Sequence, residues 1–152
     1  MNPPHDDAPP ALSVSAGPPT EDPRLGLTVT HRRYVPYAHA HYGGDLVDGA
    51  YTLGLFGDVA TEVAIRTDGD EGLLAGYSEV RFLAPVQAGD VLEASCEVVR
   101  VGRRSRELRC WAEVVARAEP ARGASAARVL HQPIRVVEAV AALVVPPPAD
   151  EA

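Results

Sequence analysis

The chain contains no lysine, since all fourteen of its basic residues are arginine. Lysine forms the Schiff bases of carbonyl chemistry and reaches the phosphates in a P-loop, so both mechanisms are excluded. The sequence also lacks a glycine-rich nucleotide loop, a Gly-x-Ser-x-Gly nucleophile turn and a zinc-binding spacing. We therefore expect neither covalent serine chemistry nor a metal site.

Cysteine is scarce as well, with only Cys96 and Cys110 in 152 residues. Two cysteines without metal-site spacing predict reduced, buried thiols. No apolar run approaches the roughly 20 residues that span a bilayer. The amino terminus also lacks the basic and apolar regions of a signal peptide, so we expect a cytoplasmic protein with no membrane partner.

Basic residues are outnumbered, 14 against 21 acidic residues, which gives a net charge of -7. This balance argues against binding to phosphate backbones, so nucleic acid is not an expected partner. A chain of this length suits one domain and buries only about two-thirds of its unfolded surface. Self-association as a homo-oligomer is therefore predicted.

Proline marks both ends of the chain, with seven of the fourteen prolines at or before Pro23 and three at 146–148. Segments rich in proline and small polar residues bury too little surface to order themselves. The composition predicts a disordered extension over 1–24, one domain over 25–146 and a disordered tail over 147–152.

A helix is predicted from about Val47 to Arg66. Asp45 or Asp48 would cap its start, and Gly69 lies just beyond its end. Apolar residues point in nearly every direction around this segment, which is typical of a helix buried on all sides.

After Gly72 the apolar period changes from 3.6 to 2, which indicates strands. With a first strand before the helix, the predicted strands are Leu25–Val35, Leu74–Ala84, Val91–Val101, Ser105–Arg117 and Ile134–Val145. One register of the central hairpin places all apolar residues on one face, pairing Val98 with Leu108, Cys96 with Cys110, Ala94 with Ala112 and Leu92 with Val114. The layout predicts an α+β protein in which a curved antiparallel sheet wraps one long buried helix, the hotdog fold.

Two carboxylates, Asp58 and Glu62, interrupt the helix on one stripe. Burying ionised groups costs several kcal/mol unless they are paired. Either they pair with an arginine such as Arg32, Arg33 or Arg81, or at least one is a general acid or base with a raised pKa.

A polar cluster precedes the helix, comprising His39, His41, Tyr42, Gly43, Gly44, Asp45 and Asp48. Glycines let a ligand approach the backbone, and the N–H groups of Gly49 and Ala50 would face an anion or a developing oxyanion. The two histidines have no third ligand at a recognisable spacing, so no metal site is predicted.

Arginines gather at the hairpin turn, namely Arg100, Arg103, Arg104, Arg106 and Arg109. They are either solvated charges of exposed strand edges or ligands for the phosphates of a coenzyme A tail.

The segments that start and follow the helix carry a family resemblance. They resemble the hotdog-fold β-aminoacyl-CoA ammonia-lyases. The segments that carry the resemblance are Ala40-His-Tyr-Gly-Gly-Asp-Leu-Val-Asp-Gly-Ala50, Leu55-Phe-Gly-Asp-Val-Ala-Thr-Glu62 and Asp68-Gly-Asp-Glu-Gly72, together with 82–90, 101–105 and 133–146. The resemblance implies reversible loss of ammonia from a 3-aminoacyl-CoA to give the 2-enoyl-CoA. It also implies sites between subunits of a homodimer or larger assembly, a dimer of dimers or a hexamer. No cofactor is implied beyond the coenzyme A of the substrate.

Residue roles follow from this resemblance. His41, Asp58 and Glu62 match polar positions of the motif, with Glu62 or Asp58 as the base. The substrate would be bound by Tyr42, Gly43, Gly44, Gly49 and Ala50 and by Arg103, Arg104 and Arg106. Asp45 departs from the family, because a neutral residue is expected there and some hotdog thioesterases activate water with an aspartate before the helix. Thioester hydrolysis is therefore the alternative, and a non-catalytic acyl-CoA-binding subunit is a further one.

Overall fold

One helix and an antiparallel sheet account for most of the computed structural model, which describes residues 21–147. The elements in chain order are β1 (Thr28–Tyr34), β2 (Leu46–Val47), α1 (Gly49–Asp68), β3 (Leu73–Phe82), β4 (Val86–Gln87), β5 (Val91–Val101), β6 (Ser105–Ala118) and β7 (Ala127–Val144). Single 3-10 turns lie at Tyr37–His39, Gly43–Asp45 and Pro120–Arg122.

The main sheet has five strands in the order β1-β5-β6-β7-β3, and every neighbouring pair is antiparallel. Helix α1 lies along one face of this sheet, closest to β5 and β1. The core between them is formed by Phe56, Val59, Val63, Leu92, Cys96, Val98, Leu108, Cys110, Val114, Ala139, Ala141 and Leu143. The predicted α+β class and the helix-on-sheet arrangement are confirmed.

The register of the central hairpin is also confirmed. The observed pairs include Val98 with Leu108, Cys96 with Cys110, Ala94 with Ala112 and Leu92 with Val114. All eight of these residues are buried. Because a shift of one residue would move this whole set to the solvent side, the apolar alternation was enough to fix the pairing.

Two strand predictions need correction. Strand β7 begins at Ala127 rather than Ile134, because its first residues pair with the end of β6 while their side chains stay largely exposed. Strands β2 and β4 form a separate two-stranded sheet that was not predicted. Each has only two residues, which is too short for an alternation of apolar and polar side chains to be recognised in the sequence.

The helix ends as predicted but is not buried on all sides. The Asp48 carboxylate accepts from the Tyr51 N–H at 3.1 Å, and Gly69 closes the helix with a φ of 65°. Buried residues share one face, namely Thr52, Leu55, Phe56, Val59, Ala60, Val63 and Ala64. The other face is open, and the Asp58 side chain is 63% exposed. Within one chain the sheet therefore covers one side of α1.

The boundary predicted at residue 24 also shifts. Arg24 contacts Asp68 at 2.9 Å, and the neighbouring Gly26 N–H donates to Val98 at 2.9 Å. The last residues before Leu25 therefore belong to the fold. Residues 1–20 and 148–152 of the predicted extension and tail lie outside the described residues.

Both cysteines are free thiols buried between the helix and the sheet, with their Sγ atoms 2.7 Å apart. The hydrogen bond to Cys110 and burial raise the pKa of the Cys96 thiol.

Helix α1 is not apolar enough to cross a bilayer, and no other long helix occurs within residues 21–147.

Candidate active site

A cavity of about 710 Å³ opens at the start of α1. We call it the helix-start cavity, and it is lined by His41, Tyr42, Leu46, Val47, Asp48, Gly49, Ala50, Thr52, Phe82, Leu83, Ala84, Pro85 and Val86. Five residues that the sequence singled out meet here, namely His41, Tyr42, Asp48, Gly49 and Ala50. Leu46 and Val47 of β2 and Val86 of β4 are also among the lining residues.

The loop before the helix is folded by its backbone. The N–H groups of His41 and Tyr42 both donate to the Leu46 carbonyl, at 2.8 and 3.0 Å. Gly44 and Asp45 have φ values of 68° and 60°, in the left-handed region. Asp45 tolerates this conformation better than most residues, and its carbonyl accepts from Ala88 at 2.8 Å. Gly44 and Asp45, like Gly43, shape the loop and are not part of the cavity wall.

The first turn of α1 presents backbone donors to the helix-start cavity. Asp48 caps the Tyr51 N–H, whereas the N–H groups of Gly49 and Ala50 donate to no residue in the described part of the chain. Such free donors at the positive end of a helix dipole attract negative charge. The Phe82 ring lies so close to Gly49 that an added Cβ would sit 2.4 Å from it, so any side chain at this position would have to displace the ring.

A histidine–carboxylate pair borders these donors. His41 Nδ1 lies 3.8 Å from the Asp48 carboxylate, and both side chains are partly exposed. The sequence placed Asp48 in the polar cluster before the helix and also suggested it as a helix cap. In the structure it does both, since it caps Tyr51 and borders the cavity.

A second, smaller cavity of about 400 Å³ lies further along the open face of α1. We call it the Asp58 cavity, and it is lined by Arg33, Pro36, His39, Ala50, Tyr51, Gly54, Leu55 and Asp58. Ala50 borders both cavities, so they are adjacent. Arg33 Nη2 is 3.7 Å from the Asp58 carboxylate, which is one of the pairings that the sequence suggested.

The Asp58 cavity brings together Arg33, a suggested partner of the helix carboxylates, His39 of the predicted polar cluster, and Tyr51, which was not predicted as a site residue. The rings of His39 and Tyr51 stack with their centroids 4.7 Å apart. Burial raises the pKa of the Tyr51 hydroxyl. The sequence marked Tyr51 only as an apolar position, and nothing local to it indicates its histidine partner.

Glu62 lies one turn beyond Asp58 and borders neither cavity. Its two oxygens are taken, one by Arg66 at 2.8 Å and the other by His31 at 3.0 Å. These hydrogen bonds, that from Arg66 first, hold the pKa of Glu62 below its ordinary value. Of the alternatives that the sequence left open for Glu62, the structure shows the pairing, but with Arg66 and His31 rather than with Arg32, Arg33 or Arg81.

The predicted arginines lie at the other end of the helix. Arg103 and Arg104 border a groove of about 990 Å³ with Arg24, Asp68, Asp70 and the end of the described chain, which we call the arginine groove. From Gly49 to Asp68 the helix runs about 28 Å, so this groove is far from the helix-start cavity.

Arg106 differs from its neighbours because it is 2% exposed. Its guanidinium donates to Asp68 at 2.6 Å and to the carbonyls of Gly102 and Ser105, both at 2.8 Å. These contacts occupy its donors and give it a structural role. Outside the groove, Arg100 lies 3.7 Å from Glu107 and Arg109 lies 3.9 Å from Glu97 across the β5–β6 hairpin. Both are exposed charges, but the expectation of edge strands was wrong, because β5 and β6 are inner strands of the sheet.

Comparisons with known proteins agree with this arrangement. Residues 46–114 match the family described as the Thioesterase superfamily. The chain is 49% identical over 107 residues to the 3-aminobutyryl-CoA ammonia lyase of Acetoanaerobium sticklandii, covering 70% of this chain and 85% of the relative.

Solved structures show the same architecture. The β-alanyl-CoA:ammonia lyase from Clostridium propionicum superposes with a TM-score of 0.75 at 32% identity, over 80% of this chain and 86% of that one. A hexameric thioesterase from Yersinia pestis superposes with a TM-score of 0.63 at 18% identity, over 82% of this chain and 90% of that one. At that identity the second likeness shows the fold alone.

Proposed function

The chain belongs to the β-aminoacyl-CoA ammonia-lyases of the hotdog fold, and from that premise we propose how its residues remove ammonia from a 3-aminoacyl-CoA. The reaction breaks the carbon–nitrogen bond at C3 and gives the 2-enoyl-CoA. The observation that carries this function is the 49% identity to a 3-aminobutyryl-CoA ammonia lyase over 85% of its length. The open start of α1 supplies a place for the reacting thioester.

The thioester carbonyl is placed in the helix-start cavity. Removal of the proton at C2 moves negative charge onto the carbonyl oxygen. The free N–H groups of Gly49 and Ala50, at the positive end of α1, would donate to that oxygen. Donors fixed before the reaction stabilise an enolate more than the neutral thioester, which is what accelerates the step.

Asp58 is proposed as the base that accepts the C2 proton. It borders a cavity adjacent to the helix-start cavity, and its one close partner within residues 21–147 is Arg33 at 3.7 Å. Glu62 is the other carboxylate suggested by the motif, but Arg66 and His31 occupy its oxygens. After proton transfer, the enolate electrons form the double bond between C2 and C3. The nitrogen then leaves with the electrons of the broken bond, so a substrate ammonium departs as neutral ammonia.

Two copies of the chain are needed for this chemistry. Asp58 follows Ala50 by about two helical turns, which is about 12 Å along the axis. The carbonyl oxygen and the C2 proton of one thioester are much closer together than that. We therefore propose that the base and the oxyanion donors of each site come from different subunits. Self-association of this kind is supported by the open face of α1 and by hexameric relatives of the same fold.

The coenzyme A tail is assigned to the arginine groove of a neighbouring subunit. Arg103 and Arg104 border this groove, and guanidinium groups bind phosphates through paired hydrogen bonds. Arg106 is left out of this role because Asp68 and backbone carbonyls already occupy it. We propose that the elimination uses side chains and backbone donors alone, with coenzyme A as part of the substrate.

The proposal is tested with crotonyl-CoA, with and without ammonium, by following the enoyl thioester absorbance and free thiol together. Loss of the enoyl signal that requires ammonium and releases no thiol is the expected result. Thiol release independent of ammonium would instead show thioester hydrolysis, with Asp45 as the first residue to examine. Tight binding of crotonyl-CoA with neither reaction would favour a non-catalytic acyl-CoA-binding subunit.

A further inference from the structure

The hydroxyl of Thr52 is a buried polar group that the folded chain leaves unused. Thr52 is 0% exposed. Among the buried side-chain oxygen and nitrogen atoms of residues 21–147, its Oγ1 alone has no hydrogen-bond partner. Buried hydroxyls are nearly always bonded, so an exception calls for a cause. Thr52 lies in the first turn of α1 and borders the helix-start cavity.

The other threonines of α1 show what a threonine in this helix ordinarily does. Thr61 donates to the Gly57 carbonyl and Thr67 to the Val63 carbonyl, both at 2.9 Å and both one turn back. Thr52 makes no such bond to the Asp48 carbonyl one turn back. Its hydroxyl is thus not needed to satisfy the helix.

The position of Thr52 indicates what its hydroxyl would meet. Side chains of a helix tilt toward its amino terminus, so Thr52 leans toward the free N–H groups of Gly49 and Ala50. A hydroxyl beside two backbone donors adds a third donor to the same pocket. The group that best accepts from all three is an oxygen that gains negative charge.

We propose that Thr52 binds the substrate by donating its hydroxyl hydrogen to the thioester carbonyl oxygen, a bond that strengthens as this oxygen becomes an enolate. The inference rests on the proposed function, since it takes the acyl thioester as the ligand of the helix-start cavity. It adds a side chain to an oxyanion site otherwise formed by backbone. The missing partner of Thr52 is then the substrate itself.

The test compares Thr52→Val, which keeps the shape and removes the hydroxyl, with Thr52→Ser, which keeps the hydroxyl. Thr61→Val is the matched control, because it removes a hydroxyl that bonds within the helix. Ammonia addition to crotonyl-CoA is measured for each. We expect kcat/KM to fall about 100-fold in Thr52→Val. Thr52→Ser is expected to recover most of the activity, and Thr61→Val to remain near wild type.

Thermal unfolding gives a second readout, the Tm of Thr52→Val. If Thr52 had a purely structural role, this substitution would lower Tm. Because Oγ1 has no partner in the described part of the chain, Thr52→Val is expected to hold or raise Tm while it lowers activity. Wild-type kcat/KM in Thr52→Val, or a marked loss of Tm in it, would overturn the inference while leaving ammonia-lyase activity intact. A wild-type protein without ammonium-dependent turnover would overturn the proposed function and this inference together.

Discussion

The two ends of α1 differ in whether their polar groups have hydrogen-bond partners. At the carboxyl end, Asp68 is held by Arg24 at 2.9 Å, by Arg106 at 2.6 Å and by Thr67 at 2.7 Å, and Gly69 closes the helix. At the amino end, two backbone N–H groups and the Thr52 hydroxyl have no partner within the described residues. Both ends border a cavity of several hundred Å³.

This difference separates stability from chemistry along one helix. Paired groups lower the free energy of the folded chain and are costly to disturb. Unpaired donors contribute little to folding but are ready for a ligand that accepts hydrogen bonds. Substitutions at the two ends should therefore affect different measurements.

Asp58→Asn is expected to have the largest effect, a loss of about 1000-fold in kcat, because the general base is removed. Glu62→Gln serves as its control, since that carboxylate is already engaged by His31 and Arg66 and should lose less than about tenfold. Steady-state kinetics with crotonyl-CoA and ammonium would measure both. A larger loss in Glu62→Gln than in Asp58→Asn would transfer the role of base to Glu62.

Arg106→Leu should act on stability. Removing this guanidinium leaves Asp68 with Arg24 as its remaining arginine partner in a partly buried place. We expect the free energy of unfolding to fall by about 3 kcal/mol, measured by urea denaturation. An unchanged urea midpoint would show that the pair with Asp68 does not stabilise the fold. A role of Arg106 in substrate binding would then have to be tested.

The same carboxyl end should govern the acid sensitivity of the fold. Burial alone would raise the pKa of Asp68, but hydrogen bonds from Arg106 and Thr67 hold it below the ordinary value of 3.8. A lowered pKa stabilises the fold above pH 3.8, and this stabilisation is lost as the pH falls through the folded-state pKa. Urea unfolding of wild type and Asp68→Asn between pH 7 and pH 3 should show a difference in stability that narrows below about pH 4. A difference that stays constant down to pH 3 would contradict this assignment.

Arg104→Ala is expected to have the smallest effect. It should raise KM for coenzyme A thioesters about 3- to 10-fold and leave pantetheine thioesters unaffected, because only the former carry the phosphates of the nucleotide. Arg100→Ala is a matched control on the same hairpin, where Glu107 is its neighbour at 3.7 Å. An equal rise in KM for both classes of thioester would show that Arg104 does not bind the nucleotide phosphates and is a solvated surface charge.

The sequence predicted those features that depend on local pattern. The hairpin register follows from alternating apolar residues, and the helix ends follow from Asp48 and Gly69. Which face of α1 stays open could not be predicted, because apolar residues lie all around the segment. The partners of Glu62 could not be predicted either, since His31 comes from β1, far away in the chain. The unpaired Thr52 hydroxyl becomes visible only once the neighbouring residues are in place.

A site shared between subunits can be tested by combining two inactive chains. One carries Asp58→Asn, and the other carries Gly49→Val, whose side chain would collide with the Phe82 ring at the wall of the helix-start cavity and displace it. In mixed dimers one site keeps both intact halves, so random pairing should restore about one quarter of the wild-type activity. Differently tagged, co-expressed chains allow the mixed species to be isolated. Activity that returns only in the mixed species is the result we expect, whereas mixed oligomers that form and stay inactive would show that each chain builds its site alone.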